Sequence, residues 1–205
     1  MKIDSSEIKQ RYDRLAPFFD LIEAPMEGLF FRPLRKKLWA GAEGYHILEV
    51  GVGTGKNFDY YPDNARVTAI DFSPQMLQQA ENAKTRKKVN VELALMDVQS
   101  LCYADNSFDT VIGSFVFCSV PMPVKGLKEL NRVCKPGGKL MLLEHVVSAK
   151  PLAAKVMDRL NPFVLKIFGA NINRDTVKNV KFSGFSSVSL DDSSSDILKL
   201  IVARK

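Results

Sequence analysis

The stretch Ile47-Leu48-Glu49-Val50-Gly51-Val52-Gly53-Thr54-Gly55 restricts what this chain can fold into more than any other. Ile47 to Val50 is a short apolar run that reads as a buried parallel strand. The alternate glycines after it suit a tight turn where bare backbone approaches a ligand, since glycine has no Cβ to hold that ligand away. Helical sequence after the turn would aim free N–H groups and the positive end of a dipole at an anion. The spacing is G-x-G-x-G, and Lys56 stands where the dinucleotide fingerprint has its last glycine. No Gly-Lys-Ser/Thr triplet follows at phosphate-loop spacing. A merely structural turn stays open at this point.

The rest of the chain is placed by its distance from that turn. Asp4-Ser5-Ser6-Glu7 has capping-box spacing and predicts a helix through about Leu15, ended before Pro17. The aromatic segment Tyr12 to Asp20 fits either core packing or a lid over a ligand. Phe31, Leu34 and Leu38 then recur at helical spacing among Arg32, Arg35, Lys36 and Lys37, with Trp39 beside them. That pattern fits a basic amphipathic helix at a membrane surface, or an ordinary helix with its apolar face on the core. Arg66 to Asp71 reads as a second strand, and Asp71 lies 20 residues beyond Gly51, where nucleotide-binding α/β units place a ribose-binding acid. Ser73-Pro74 starts a helix through about Lys84, with Lys84 to Lys88 as a solvated loop.

Val89 to Leu95 is a third strand that delivers Met96-Asp97-Val98, and Phe108 to Phe115 is a fourth. A helix from Pro121–Lys125 to near Cys134 is stopped by Lys135-Pro136-Gly137-Gly138. Lys139 to Val147 is a fifth strand with Glu144-His145 near its end. Pro151 to Phe168 is amphipathic and broken by Pro162. Ser186 to Leu190 and Ile197 to Ala203 are too close for a helical crossover, so they predict an antiparallel hairpin. The expected fold is therefore α/β: a Rossmann-like, doubly wound, seven-stranded sheet, mostly parallel, with an antiparallel C-terminal hairpin strand. One domain spans 1–205, with 1–45 as an N-terminal helical lid and 151–183 as a substrate-side helical insertion.

Charge and composition narrow the partners. A net charge of +6 favours anionic groups such as phosphates or an acidic lipid surface, although solubility explains it equally well. The basic residues are not interleaved with aromatics in a nucleic-acid pattern. Cys102, Cys118 and Cys134 are widely spaced, and with only His46 and His145 beside them no metal site is expected. Reduced thiols and the absence of an apolar leader point to a cytoplasmic chain. The longest uncharged run, Thr110 to Val124, is too short to span a bilayer.

Glu49, the glycines, Asp71, Asp97 and Ser114 all fall at or just after strand ends, where open α/β sheets bind ligands. That convergence implies a nucleoside-bearing ligand. The segments ILEVGVGTGKN (47–57), VTAIDFSPQML (67–77), LALMDVQSL (93–101), NSFDTVIGSFVFCSVP (106–121) and RVCKPGGKLMLLEH (132–145) resemble the class I S-adenosylmethionine-dependent methyltransferases over nearly the whole chain. The resemblance implies that Gly51, Gly53 and Gly55 pass under the methionine part of the cofactor and that Asp71 holds the ribose. It places Phe72 and Met76 beside the adenine, Asp97 on the adenine amine and the Val98 N–H on the ring. It sets backbone carbonyls of Ser114 and Phe115 near the cofactor's amino group, and Glu49, Asn57 and Tyr12 complete the set.

Within that superfamily, Tyr12 to Asp20 resembles the N-terminal motif of the ubiquinone/menaquinone-biosynthesis-type and bacterial phospholipid N-methyltransferases, although Phe19 stands where Tyr is often found. VFCSVP, LLEHV and Asn171-Ile172-Asn173-Arg174 are also similar to membrane-associated thiol methyltransferases. The implied acceptor is a lipid or hydrophobic small molecule, first a phosphatidylethanolamine-type amine, with quinone rings and thiols as alternatives. Glu144, His145, Tyr12 and Asp20 are the candidate acid/base or cation-cradling groups, His145 first as proton acceptor, with a supporting role at a strand end as the alternative. Cys118 has no base placed beside it and reads as packing. A nicotinamide oxidoreductase is disfavoured by Lys56 and the Asp97 segment. A non-catalytic cofactor-binding protein at a membrane surface stays open.

Overall fold

The computed structural model describes residues 5–205, Leu29 by its backbone alone. Seven strands make one sheet: β1 (His46–Val50), β2 (Arg66–Asp71), β3 (Val91–Leu95), β4 (Phe108–Ser114), β5 (Cys134–His145), β6 (Ser187–Leu190) and β7 (Leu198–Arg204). Their order is β3-β2-β1-β4-β5-β7-β6. The first five pair in parallel, and β7 runs antiparallel to both β5 and β6. This is the doubly wound sheet that the alternation of strands and helices predicts.

Burial on both faces explains the short, continuous apolar strands. Leu48 and Val50 of β1 join a core with Leu127, Leu130 and Val133 of helix α5 (Pro123–Val133) and Val180 of α7 (Thr176–Lys181). Ile47 points the other way, into a core with Leu38 and Trp39 of α3 (Arg32–Ala40) and Ala80 and Ala83 of α4 (Pro74–Lys87). Glu49 alternates with Leu48 and so shares the α3 face of the sheet.

The N-terminal segment differs from its expected form. α1 covers Ser5–Leu15, and Asp4 of the expected capping box lies outside the described residues. Helical backbone does not stop at Pro17. Proline sits in the first turn of a 3-10 segment, Ala16–Phe18, where its missing N–H costs nothing. The chain continues through α2 (Phe19–Met26), a π turn at Glu27–Phe31 and α3.

Other boundaries move for local reasons. Only a 3-10 turn, Phe58–Tyr60, follows the glycines, so no α-helix aims its N-terminus at the loop. Ser73 caps α4 as expected, its side chain accepting from the Met76 N–H. That helix runs to Lys87, and the expected loop at 84–88 is its last turn, where Lys84, Arg86 and Lys87 meet the negative end of the dipole. Helix α6 (Pro151–Phe168) passes through Pro162 without breaking, with Pro162 on the exposed side, where a stripped carbonyl can be hydrated. β5 begins at Cys134 and carries Lys135–Gly138 inside it, with the register shifting against Phe108/Thr110. β3 is an edge strand that begins at Val91 rather than Val89, and Leu95 at its end is exposed.

Candidate active site

Parallel register brings the carboxyl ends of β1, β2, β3 and β4 to one level. Val50 pairs with Ile70 and Gly113, Asp71 with Leu95, and Ser114 with Leu143. A cavity of about 330 Å³ lies beyond that rim. The N-terminal segment covers it with Tyr12, Leu15, Phe19, Ile22, Glu23, Phe31 and Arg35.

Asp71 ends β2 almost fully buried. Its Oδ2 accepts from the Gly53 N–H and its Oδ1 from the Ser73 N–H, each at 2.9 Å. Burial pushes its carboxyl up to about 6, against the pull of those amides. The carboxylate thereby fastens the glycine loop to the start of α4 while its cavity side can still accept ligand hydroxyls. Gly53 has φ +56°, and a Cβ added there would meet nothing within 4 Å, because that direction opens into the cavity. At Gly51 (φ +68°) a Cβ would strike Val116 at 2.5 Å.

Beneath the loop lies a buried polar layer. Glu49 accepts from Asn57 Nδ2 at 2.5 Å and from the Tyr61 hydroxyl, and burial raises its carboxyl to about 7. Asn57 Nδ2 also reaches Ser114 Oγ at 2.9 Å. Arg35, 4% exposed, donates from Nε to both oxygens of Glu27 (3.1 and 3.0 Å) and from Nη1 to Asn57 Oδ1 (3.2 Å) and Ser114 Oγ (2.8 Å). Its guanidinium lies 5.3 Å from the Phe115 ring centre. Of the two readings of α3, these contacts favour the helix with its apolar face on the core, while Arg32, Lys36 and Lys37 stay exposed. Arg35, Leu38 and Trp39 all point inward, and Lys37 pairs with Asp191 at 2.6 Å.

At the other end, both Asp97 oxygens accept from Gln99 Nε2 (3.0 and 2.9 Å), and Oδ1 also takes the Gln99 N–H at 2.8 Å. Gln99 in turn holds the Met122 N–H and Ser5, tying α1 to the β3 and α5 loops. Phe72, Met76, Met96 and Val98 give this end an apolar surface that suits a purine ring.

The third side carries the acid/base candidates. The Tyr12 hydroxyl lies 2.5 Å from Ser119 Oγ, and burial holds the phenol well above its ordinary value, so it stays protonated. His145 lines the cavity with its Nδ1 buried and unpartnered among the described residues. Burial lowers its pKa, which favours the neutral imidazole. Glu144 is fully buried and does not line the cavity. Its Oε1 accepts from the Val116 (2.9 Å) and Phe117 (3.1 Å) N–H groups, its Oε2 has no partner among the described residues, and burial raises the carboxyl to about 7. It anchors the turn in which Phe115 takes φ +59°. Cys118 is buried and its thiol is pushed up to about 12, also by burial, which suits packing rather than attack. Asn171 fastens to the Cys118 carbonyl through its N–H (2.8 Å) and Nδ2 (2.9 Å).

Of the residues expected at the cofactor, Tyr12, Gly51, Gly53, Asp71, Phe72, Met76, Asp97, Val98, Ser114 and Phe115 line the cavity. Glu49, Gly55 and Asn57 lie outside the lining; Glu49 and Asn57 belong to the layer beneath, and Gly55 packs against Phe58. Asp20 accepts from Thr54 Oγ1 at 2.6 Å and fastens α2 to the glycine loop. Sequence reasoning passed over Arg35, Glu23, Gln99 and Ser119. Arg35 had a signal: it precedes Leu38 and Trp39 by three and four residues and so shares their buried stripe. Among the described residues no group of three or more His, Cys, Asp or Glu is arranged to hold a metal.

Residues 48–142 match the family model described as a methyltransferase domain. The chain is 40% identical over 121 residues to phosphatidylethanolamine N-methyltransferase of Cereibacter sphaeroides, covering 55% of this chain and 57% of that protein. It is 34% identical over 152 residues to thiol S-methyltransferase TMT1B of Rattus norvegicus, covering 71% and 62%. Over 169 residues it is 33% identical to demethylmenaquinone methyltransferase of Staphylococcus aureus, covering 79% and 67%. The chain thus spans less than two thirds of the first two relatives. A SAM-dependent methyltransferase of Thermotoga maritima shares the fold, with a TM-score of 0.70 at 18% identity over 96% of this chain and 99% of that one. The chain belongs to the S-adenosylmethionine-dependent methyltransferases. The residues present fit that cofactor: an open glycine edge, a buried acid for a diol, an apolar purine end and a charged end beside Arg35.

Proposed function

We propose that this chain transfers the cofactor's methyl group to a hydrophobic acceptor drawn from a membrane surface, first a lipid amine of the phosphatidylethanolamine type. When bound, the sulfonium supplies an electrophilic methyl: the acceptor's lone pair forms the new bond, and the S–CH₃ electron pair returns to sulfur. The chain's own residues align, exclude water and handle one proton. Asp71 and the glycine edge orient the donor end. Neutral His145 takes the proton that an ammonium acceptor must lose before attack. Tyr12, protonated and tied to Ser119, positions rather than abstracts. Tyr12, Phe19, Phe31, Phe72, Phe115 and Phe168 bring six aromatic rings to one cavity, and their faces favour a methylated ammonium product.

The observation that carries the membrane reading is the outer face of α6. No residue of this helix is buried, and Leu152, Val156, Leu160, Phe163 and Ile167 form one stripe at spacings of four, four, three and four, 51–78% exposed. Phe18, Leu21, Ile22, Met26 and Phe30 add an exposed apolar surface, and Ile22 and Phe168 belong to both the cavity lining and the exposed surface. Lys155, Arg159 and Lys166 are exposed on α6, as an anionic leaflet would require. No helix among the described residues is long and apolar enough to cross a bilayer. A second reading, a neutral acceptor such as a quinone ring or thiol, is supported by the cavity lining, whose acids among the described residues are Glu23, Asp71 and Asp97 alone.

The test is a competition. Vesicles carrying phosphatidylethanolamine, a demethylated quinol and an alkyl thiol are incubated together with the cofactor, and products are identified by mass spectrometry. Methylated phosphatidylethanolamine as the main product supports the first reading; a methylated quinol or thiol as the main product replaces it with the second.

A further inference from the structure

One end of the cavity is charged in a way the expected cofactor residues do not account for. Arg35 is buried and lines the cavity beside Phe115. Its Nε and Nη1 are fixed by Glu27, Asn57 and Ser114, whereas among the described residues Nη2 faces Glu23, at 3.9 Å, too far for a hydrogen bond. Lys56 lines the same end, and its Nζ lies 3.3 Å from Glu23 Oε2 and 3.4 Å from Asp20 Oδ1. Glu23 Oε2 therefore stands between two cations. That arrangement is a carboxylate receptor, held by one carboxylate from α2. It is built at a cost, since desolvation of a guanidinium is recovered only through good pairing.

The partners on each side fix which end of the ligand this is. Asp71 and the Phe72–Met76–Val98 surface lie at the nucleoside end, while Arg35 and Lys56 flank Thr54, Ser114 and Phe115. A nucleoside-linked amino acid threaded along the glycine edge brings its α-carboxylate to the charged end. Charge-assisted and forked pairing with guanidinium is the strong form of that recognition.

We propose that Arg35 and Lys56 form the receptor for the α-carboxylate of the cofactor's amino-acid end, and that Glu23 is the internal carboxylate this group displaces. The proposal rests on the cofactor assignment above. It makes α2 and α3 part of the cofactor site, so donor binding and covering of the cavity become one event.

Calorimetric titration of the purified chain with two ligands separates this from a structural role. S-adenosylhomocysteine carries the amino-acid end, and 5′-methylthioadenosine has the same nucleoside and thioether without it. Arg35→Gln and Lys56→Met are each expected to weaken S-adenosylhomocysteine by about tenfold or more, the loss of one charge-assisted hydrogen bond. The same variants should leave 5′-methylthioadenosine within about twofold, a difference too small to represent a lost bond. Glu23→Gln, which removes the competing charge, should leave S-adenosylhomocysteine binding equal or tighter. Thermal melts accompany each titration, and Lys56→Met is the variant least able to disturb the core. Equal weakening of both ligands, or no weakening of S-adenosylhomocysteine, overturns the receptor. A loss of affinity in Glu23→Gln overturns the displacement. Failure of the unaltered chain to bind either ligand would instead remove the cofactor assignment beneath the proposal.

Discussion

Replacing Asp71 by Asn changes one atom and separates two roles of the same side chain. Both carboxylate oxygens now accept a backbone N–H at 2.9 Å, from Gly53 and from Ser73. Asn offers one oxygen, so one of those amides must face an NH₂ group and loses its acceptor. A buried N–H left unsatisfied costs about 1–3 kcal/mol, which sets the expected fall in folding stability. Ligand affinity suffers separately, because a neutral amide replaces a charged acceptor for the ribose diol. Charge-assisted bonds are worth about 1.5–3 kcal/mol, so the dissociation constant for S-adenosylhomocysteine should rise about 10- to 150-fold. Because the carboxyl sits near 6, affinity of the unaltered chain should hold above pH 7 and fall as the pH drops below 6. The Asn variant should lack that dependence. Calorimetry across pH 5 to 8, with urea melts in parallel, reads both effects. Unchanged affinity in the variant, or the same pH profile in both proteins, would refute the assignment of Asp71 to the ligand.

Three further outcomes are expected. His145→Ala should lower turnover on an amine acceptor by about a hundredfold while leaving cofactor affinity intact, and the unaltered rate should rise with pH through a value below the ordinary histidine range; unchanged turnover would return His145 to a supporting role. Glu144→Gln should flatten the stability profile between pH 4.5 and 7. The folded carboxyl titrates near 7 and the unfolded one near 4.5, so the native state holds an extra proton there, and stability falls by up to about 1.4 kcal/mol per unit as pH rises; an unaltered slope in guanidine melts would refute this. Leu160→Glu with Phe163→Glu should abolish sedimentation with anionic vesicles at low and high salt yet spare cofactor binding, since both side chains are exposed and each contributes about 1.5–3 kcal/mol if buried in lipid; persistent sedimentation would show that this stripe does not meet the bilayer.

The sheet was legible because its strands are buried on both faces and punctuated by turn residues. Ile47–Val50 and Arg66–Asp71 announce themselves by composition alone, and Ser73-Pro74 marks the next helix by cap chemistry. Strand ends then located most of the cavity lining, since parallel register carries them to one rim. The N-terminal segment was harder. Pro17, Pro25 and Pro33 each look like stops, yet two fall in first turns and Pro25 sits in a helix with no buried residue. Arg35 was hidden by its charge: a cation on an amphipathic helix reads as solvent-facing unless the stripe with Leu38 and Trp39 is counted. Gln99 and Glu144 take their roles from backbone amides of distant loops, Met122 and Val116–Phe117, a pairing no local pattern discloses.

The central claim is that a methyl group leaves the sulfonium cofactor for an acceptor held in a lipid phase. Purified chain, methyl-labelled S-adenosylmethionine and phosphatidylethanolamine-containing vesicles provide the direct measurement: label recovered in the extracted lipid, counted against S-adenosylhomocysteine formed in the same tube. Equal amounts of the two are expected, rising together with time and absent when the vesicles lack an acceptor. S-adenosylhomocysteine formed without label in lipid, or no turnover with phosphatidylethanolamine, demethylated quinol or alkyl thiol, would contradict that claim.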